Sequence, residues 1–295
     1  MNEPLRPPTG RDATPLISPL LVAIALLAIV AGLVAFAGST RSATYFAWPF
    51  TSPVSSALMG AGLLGVVPMM FSAAVRPHWE GVRIAVLPAG VLVATMAVLA
   101  VVHRGDLALD GGPVVAVVLA WGWLLAMVAL TVAILVVLVA QSREPGFPLA
   151  RTAPLPRWAL PLVAVLGSAF FGLGVGLLGG TTFWAAVIPW ETSTLDARAL
   201  GAWALTLGVA LLQALAEDDL ERVRPGLHAI VLMGFLGLVG LVWHAGEIDW
   251  ATWGAASIVA LLAGLLTTGL VGLALAQRAS VASAIVAEPT TRVPS

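Results

Sequence analysis

Eight long apolar runs limit what this 295-residue chain can fold into, because none of them contains Asp, Glu, Lys or Arg. The first run, Ile17–Ala37, is long enough to cross a hydrocarbon core about 30 Å thick. The other seven occupy residues 54–74, 84–102, 113–140, 158–178, 199–216, 226–245 and 253–277. Lipid offers no hydrogen-bond partner to a backbone, so each run must be a helix. The sequence therefore predicts an all-α integral membrane protein with eight transmembrane helices.

The composition excludes several classes of function. Only 10% of the residues are charged, whereas a soluble domain carries roughly a quarter. The chain contains no cysteine, so it cannot form a disulfide, a thiolate metal site or a cysteine nucleophile. A net charge of −1 gives no reason to expect nucleic-acid binding. The partner that remains is the lipid bilayer.

Part of the sequence is an internal repeat. A shift of 141 positions aligns Trp48–Pro113 with Pro189–Gly254 without a gap. Four helices lie in each half, an even number, so both halves enter the membrane from the same side. The pattern predicts two parallel four-helix units, residues 17–140 and 158–277. The uncommon residues that coincide are Thr51-Ser52 with Thr192-Ser193, Glu80 with Glu221, Arg83 with Arg224, and His103 with His244.

The arginines predict the orientation of the chain. All fourteen basic residues are Arg, and eleven lie in the amino terminus, the second, fourth and sixth loops, or the tail. The odd-numbered loops hold only Arg41, Arg104 and Arg198. Because basic residues accumulate on the cytoplasmic side, both termini are expected in the cytoplasm of a bacterium, with the chain in its inner membrane.

Two segments flank the two units, and a third connects them. Residues 1–16 are expected to form a disordered cytoplasmic leader, and residues 278–295 a cytoplasmic tail. Residues 141–157 form a linker whose four prolines prevent the fourth helix from continuing. A cleaved signal peptide is the competing interpretation of the first run, since Ala35 and Ala37 resemble a small-residue cleavage site.

Two outward-facing loops contain unusual aromatic stretches, Thr44–Phe50 and Phe183–Trp190. Each leads into a Thr-Ser pair just before the next helix. In one interpretation the aromatic rings lie at the lipid headgroups, and Ser, Thr or Asp196 caps the following helix. In the other, the two loops line a shared outer cavity and the helix amino termini face an anionic or polar ligand.

His103 and His244 occupy equivalent positions at the outer ends of the third helices, and an acid, Asp106 or Glu247, follows each by three residues. Imidazole is a common metal ligand with a carboxylate as its usual neighbour, and two axial histidines can hold a haem. The pair is therefore a candidate metal or haem site. Interface residues without a ligand, and proton or ligand sensing, are the alternatives.

Glycines recur at helical spacing in the later helices: Gly172, Gly176 and Gly180; Gly234, Gly237 and Gly240; Gly264, Gly269 and Gly272. Small residues let helix backbones approach closely in lipid. These faces are expected to pack helices together, either within the chain or against a second copy or another membrane protein. A substrate groove lined by exposed backbone is the minority interpretation.

The apolar runs also disfavour an ion- or proton-coupled carrier, which usually keeps a charged residue at membrane depth. No catalytic motif is present, so an enzyme is the less favoured class, and no cofactor is specified. The leading hypothesis is an outward-facing cavity between the repeats that binds or passes a small apolar or amphiphilic ligand. The alternatives are a metal- or haem-binding enzyme or redox subunit that uses the histidine pair, and a non-catalytic accessory subunit. The predicted cavity mouth comprises Trp48, Trp190, His103, His244, Asp106 and Glu247.

Two stretches resemble a known group of proteins. They are Phe46-Ala47-Trp48-Pro49, leading into Gly60-Ala61, and Leu195–Trp203. Both are similar to stretches of uncharacterised multi-pass membrane proteins of actinobacteria. The resemblance covers these stretches and the eight-helix layout, and it carries no activity over to any residue.

Overall fold

The computed structural model of the chain describes residues 10–42, 46–107, 109 and 114–287. Residues 1–9, 43–45, 108, 110–113 and 288–295 lie outside this range, and they include the start of the predicted aromatic stretch Thr44–Phe50 and of the predicted run 113–140. The described residues form eight long helices: α1 (Ile17–Ala37), α2 (Pro53–Ala74), α3 (Trp79–Val102), α4 (Val114–Ser142), α5 (Ala159–Gly179), α6 (Thr194–Glu217), α7 (Leu220–Trp243) and α8 (Trp253–Ala287). All eight are long and apolar enough to cross a membrane. The predicted all-α fold with eight candidate membrane spans is confirmed.

Four of these helices form the centre of the molecule. Helix α2 packs along α7, and α3 packs against α6. The other four lie outside, with α1 on α2, α5 on α6, α4 on α3 and α8 on α7. In the most apolar stretch of each helix, 67% of the residues of α2 are buried, against 22% for α4 and 17% for α8. The exposed faces of the outer helices carry apolar residues such as Leu125 and Val165, as a surface in contact with lipid requires.

The helix boundaries in the two halves correspond to each other under the 141-residue shift. Helix α2 begins at Pro53 and α6 at Thr194, while α3 ends at Val102 and α7 at Trp243. The packing partners correspond as well, since α1 lies on α2 as α5 lies on α6. A superposition of the two halves by a half-turn about the membrane normal stays a prediction.

Glycine brings an outer helix onto a central helix at the same place in both halves. A Cβ atom at Gly60 would overlap the backbone of Phe36 in α1, and one at Gly201 would lie 2.8 Å from Cβ of Leu177 in α5. Both glycine–partner pairs are related by the 141-residue shift. Such an approach without a side chain is the close packing expected of helices in lipid.

The leader differs from the prediction over its last residues. The amide of Ala13 donates to the carbonyl of Pro77 over 2.7 Å, and the hydroxyl of Thr14 donates to Oε1 of Gln141 over 2.7 Å. Residues 10–16 are therefore ordered against the starts of α3 and the linker. The sequence did not show this, because the partners lie more than sixty residues away.

The tail also differs from the prediction. Helix α8 does not end at residue 277 but continues to Ala287. Residues 273–287 contain neither glycine nor proline and are rich in alanine, the strongest helix former. Pro289 follows closely, and a proline disfavours helix at the residue before it.

The close approach at Gly60 predicts the effect of adding one methyl group. Gly60→Ala should force α1 away from α2 and lower the free energy of unfolding by about 1–3 kcal/mol, the usual result of overpacking. Gly122→Ala in α4 is the matched control, because nothing lies within 4 Å of a Cβ atom there. Thermal unfolding of both variants in detergent tests this, and equal stability of the two would contradict the packing described.

Candidate functional site

The first aromatic loop folds into the protein. Trp48 is fully buried, and its ring lies 6.2 Å from that of Trp123 in α4. Phe46 lies 5.4 Å from the same ring and stacks on Phe50. Trp48 therefore belongs to the core and does not line an open mouth. Full burial of a large aromatic ring removes the largest apolar area from water and so contributes most to stability.

The second aromatic loop is buried in its last part. Trp190 is buried, and its indole N–H donates to the hydroxyl of Ser55 in α2 over 2.9 Å. Phe183, at the start of this loop, is largely exposed, as an interfacial ring would be. Both loops therefore fold back onto the long helices, one at Trp123 of α4 and the other at Ser55 of α2.

Serines cap both of the helices that follow these loops, as one interpretation of the sequence predicted. The hydroxyl of Ser52 accepts from the amide of Val54, and that of Ser193 accepts from the amide of Asp196. Each satisfies an amide that would otherwise lack a partner at a helix start. The Ser193 hydroxyl also donates to Oδ1 of Asp196 over 2.8 Å.

Asp196 joins the two halves. Its Oδ2 accepts from the amides of Thr51 and Ser52, over 3.0 and 3.3 Å, and its side chain is fully buried. Ser55, the residue at the equivalent position in the first half, reaches Trp190 in the opposite loop. Each of the two positions thus bonds to the loop of the other half, and no sequence signal distinguished Asp196 from an ordinary cap.

His103 links the end of α3 to the start of α6. Its Nδ1 lies 2.8 Å from Oδ2 of Asp106, and its Nε2 lies 2.7 Å from Nη1 of Arg198. A guanidinium can only donate hydrogen bonds, so Nε2 accepts one from Arg198. Nδ1 then carries the imidazole proton and donates a hydrogen bond to Asp106. His103 is therefore neutral in this arrangement and joins an acid in one half to a base in the other.

His244 has different neighbours. Its Nε2 lies 2.9 Å from Oγ of Ser39, just after α1, and its ring stacks on Trp243 at 5.5 Å. Burial lowers the pKa of His244 below its ordinary value, and the nearby Glu247 carboxylate opposes that shift. Glu247 itself is exposed.

The structure therefore gives the two histidines separate partners, α6 for His103 and the end of α1 for His244. Both ring nitrogens of His103 are already in hydrogen bonds. Among the described residues, no group of three or more His, Asp or Glu side chains is placed to hold a metal ion. The predicted metal or haem site gains no support from this geometry.

Ion pairs gather at the opposite face, which we call the linker side because residues 143–158 lie there. Glu217 at the end of α6 is almost fully buried between Arg83 of α3 and Arg222 of α7. Asp219 is also buried and accepts from the amide of Thr152 over 2.6 Å. The buried carboxylates of Glu217 and Asp219 therefore connect α6, α7 and the linker.

The glycine faces of α7 and α8 pack against the neighbouring helix of the same chain. A Cβ atom at Gly234 would lie 2.7 Å from the backbone nitrogen of Leu266, and one at Gly272 would lie 2.7 Å from Leu227. These faces are therefore already covered and cannot form the predicted contact with a partner. Gly172 in α5 differs, because nothing lies within 4 Å of a Cβ atom there.

An apolar cavity of about 260 Å³ lies between the two halves, and all eight long helices contribute to its wall. The linker contributes Leu155, Pro156 and Trp158. Two wall hydroxyls, those of Thr206 and Thr267, donate to carbonyls of their own helices. The wall therefore presents almost only hydrocarbon.

This cavity does not include the residues that were predicted to form an outward-facing mouth, and an outward-facing cavity stays a prediction. The walls of the large cavity use the halves of α6 and α7 nearest to the linker, together with the linker itself. The aromatic loops occupy the other side, where Trp48 is packed into the core. The large cavity consequently lies toward the linker side, and His103, His244, Asp106 and Glu247 are absent from its wall.

The cavity reaches the surface between α5 and α8. Trp158, Leu162 and Val271 line it, yet they are 55%, 62% and 46% exposed. Helices α5 and α8 meet near Leu166 and Gly264 but make few other contacts, so a gap remains between them near Leu162 and Val271. In a membrane this gap would face the hydrocarbon of the bilayer.

A second apolar cavity of about 120 Å³ lies closer to the aromatic loops, and Val187, Ile188 and Trp190 line it. Trp203, Leu207 and Met233 belong to the walls of both cavities. These three side chains therefore stand between the two spaces.

No protein-family model, curated protein or solved structure matches this chain. Its class consequently depends on its own architecture. Eight candidate spans, four of them at the centre of the bundle, define a polytopic α-helical membrane protein.

The environment of His244 predicts a pH dependence of stability. The pKa of His244 is lower in the folded protein than the ordinary value for histidine, about 6.5. As the pH falls through that value, the unfolded chain therefore binds more protons than the folded protein does. This contribution to stability is complete above that pH and is lost below it. His244→Gln should therefore lose less stability than the wild type between pH 7.5 and 5.5, as thermal unfolding in detergent would show.

His228→Gln is the control for this prediction, because His228 is exposed on α7. It should retain the pH dependence of the wild type. An identical loss of stability in the wild type and His244→Gln would contradict the assignment.

Proposed function

We propose that this protein binds the hydrocarbon part of an apolar or amphiphilic molecule inside the membrane. The observation that supports this is the cavity of about 260 Å³ between its halves, with an almost entirely apolar wall. Burial of apolar surface is favourable by about 25 cal/mol per Å², so such a wall favours a hydrocarbon occupant.

The chemistry of the wall argues against a charged cargo. Within the part of the chain that the structure describes, the residues that line the cavity include no Asp, Glu, His, Lys or Arg. A charged or strongly polar molecule would lose its hydration there without gaining a partner. Ion-coupled and proton-coupled carriers place ionisable residues at their binding sites, so this cavity suits a different class of ligand.

The route of entry follows from the gap between α5 and α8. The exposed side chains of Leu162 and Val271 continue into the cavity wall, so a chain already dissolved in the bilayer would enter sideways. The cytoplasmic headgroup region would then lie near the linker, where Arg151 pairs with Asp218. The proposed location is a bacterial inner membrane with both termini in the cytoplasm, as the arginine distribution predicts.

Filling the cavity from its wall tests this proposal. A Cβ atom at Gly226 in α7 would lie 3.6 Å from Ile84 and 4.0 Å from Met69, so a side chain there has room to extend into the cavity. Gly226→Leu should lower the affinity for an added brominated dodecanol at least tenfold. The readout is native mass spectrometry of the purified protein after release from micelles.

Gly122→Leu is the matched control, because Gly122 is exposed on α4 and lies outside the cavity wall. It should bind the alcohol as the wild type does. A wild-type protein that retains no alcohol, or a Gly226→Leu variant with unchanged affinity, would refute the proposal.

A further inference from the structure

We infer that Trp203, together with Leu207 and Met233, divides one apolar passage and thereby limits the length of the hydrocarbon chain that the protein accepts. This inference rests on the proposed function. It adds a residue that determines specificity, and it assigns a role to the second cavity.

The geometry of the two cavities is the first argument. Both have apolar walls, and they share these three side chains. With volumes of about 260 and 120 Å³, each falls below the roughly 300–1,000 Å³ of most small-molecule sites, whereas the two together fall within that range. The partition therefore decides whether the protein offers a short compartment or a long one.

The partition consists of side chains alone. The indole N–H of Trp203 donates to the sulfur of Met59 over 2.8 Å, and a thioether is a weak acceptor. Met233 has a flexible, unbranched side chain. Truncating Trp203 should therefore join the two cavities without moving α6 or α7.

The sequence repeat explains how so large a ring fits there. The 141-residue shift pairs Trp203 with Gly62, and these two residues contact each other across the interface between the halves. A Cβ atom at Gly62 would lie 2.8 Å from the ring of Trp203. One half therefore supplies a tryptophan and the other a glycine at the same position, which places the partition where the two halves meet.

The two cavities also extend in opposite directions. The larger one reaches the linker at Leu155, and the smaller one reaches the second aromatic loop at Ile188. A passage that joined them would follow α6 through much of its length. A chain that enters between α5 and α8 would meet the Trp203 ring before it reached the aromatic loops.

Chain-length selectivity tests the inference. Purified wild type and Trp203→Ala are each incubated with straight-chain alcohols from octanol to octadecanol, and bound alcohol is measured by native mass spectrometry. The wild type should bind the longest alcohol at least tenfold more weakly than its preferred one. In Trp203→Ala that penalty should fall below threefold, and the preferred chain should become longer.

Trp121→Ala is the matched control, because Trp121 is half exposed on α4 and lines neither cavity. It should keep the wild-type preference. Met233→Ala provides a second variant, with a smaller truncation of the same partition, in case Trp203→Ala does not fold. It should shift the preference in the same direction.

The outcomes distinguish the two proposals. Absence of binding at every chain length by the wild type would refute the proposed function, and the inference with it. Binding by the wild type with a length preference that neither Trp203→Ala nor Met233→Ala alters would refute the inference alone. Equal binding of all lengths by the wild type would also refute the inference.

Discussion

The hydrocarbon core of a lipid bilayer cannot donate or accept a hydrogen bond, and the arrangement of this protein follows from that constraint. The backbone is satisfied within eight helices, and the charged side chains gather in pairs at their ends. Glu217, for example, is buried but lies between Arg83 and Arg222. The middle of the bundle is left with apolar side chains, so any space between the helices becomes an apolar cavity. The proposed ligand chemistry is a consequence of the same constraint.

The two halves resemble each other in packing, but they differ at the positions where chemistry is expected. Asp196 and Ser55 are equivalent, and each bonds to the opposite loop, one through a carboxylate and the other through a hydroxyl. His103 and His244 are equivalent, yet only His103 meets an arginine. Positions related by the 141-residue shift thus differ in their partners, because the residues at or facing these positions differ between the halves.

The site was harder to predict than the fold. The aromatic loops were expected either to place their rings at the lipid headgroups, where tryptophan is common, or to line a shared outer cavity. Trp48 and Trp190 are instead buried, since the loops are long enough to turn back over the central helices. No role was predicted for Trp203, because an apolar residue inside an apolar run has no pattern that distinguishes it from its neighbours. Its place between two cavities depends on Gly62, which lies in the other half of the chain.

The sequence by itself determined the class of the protein, the number of helices and most of their boundaries, because hydrophobic length and charge placement act locally along the chain. Only the tertiary structure decided which faces meet, where the cavities lie and which polar groups find partners. These depend on contacts between residues far apart in the chain, such as Trp203 with Met59 and Asp196 with Thr51. The apolar pattern of one helix does not specify which helix packs beside it. An apolar side chain is equally compatible with lipid and with a neighbouring helix.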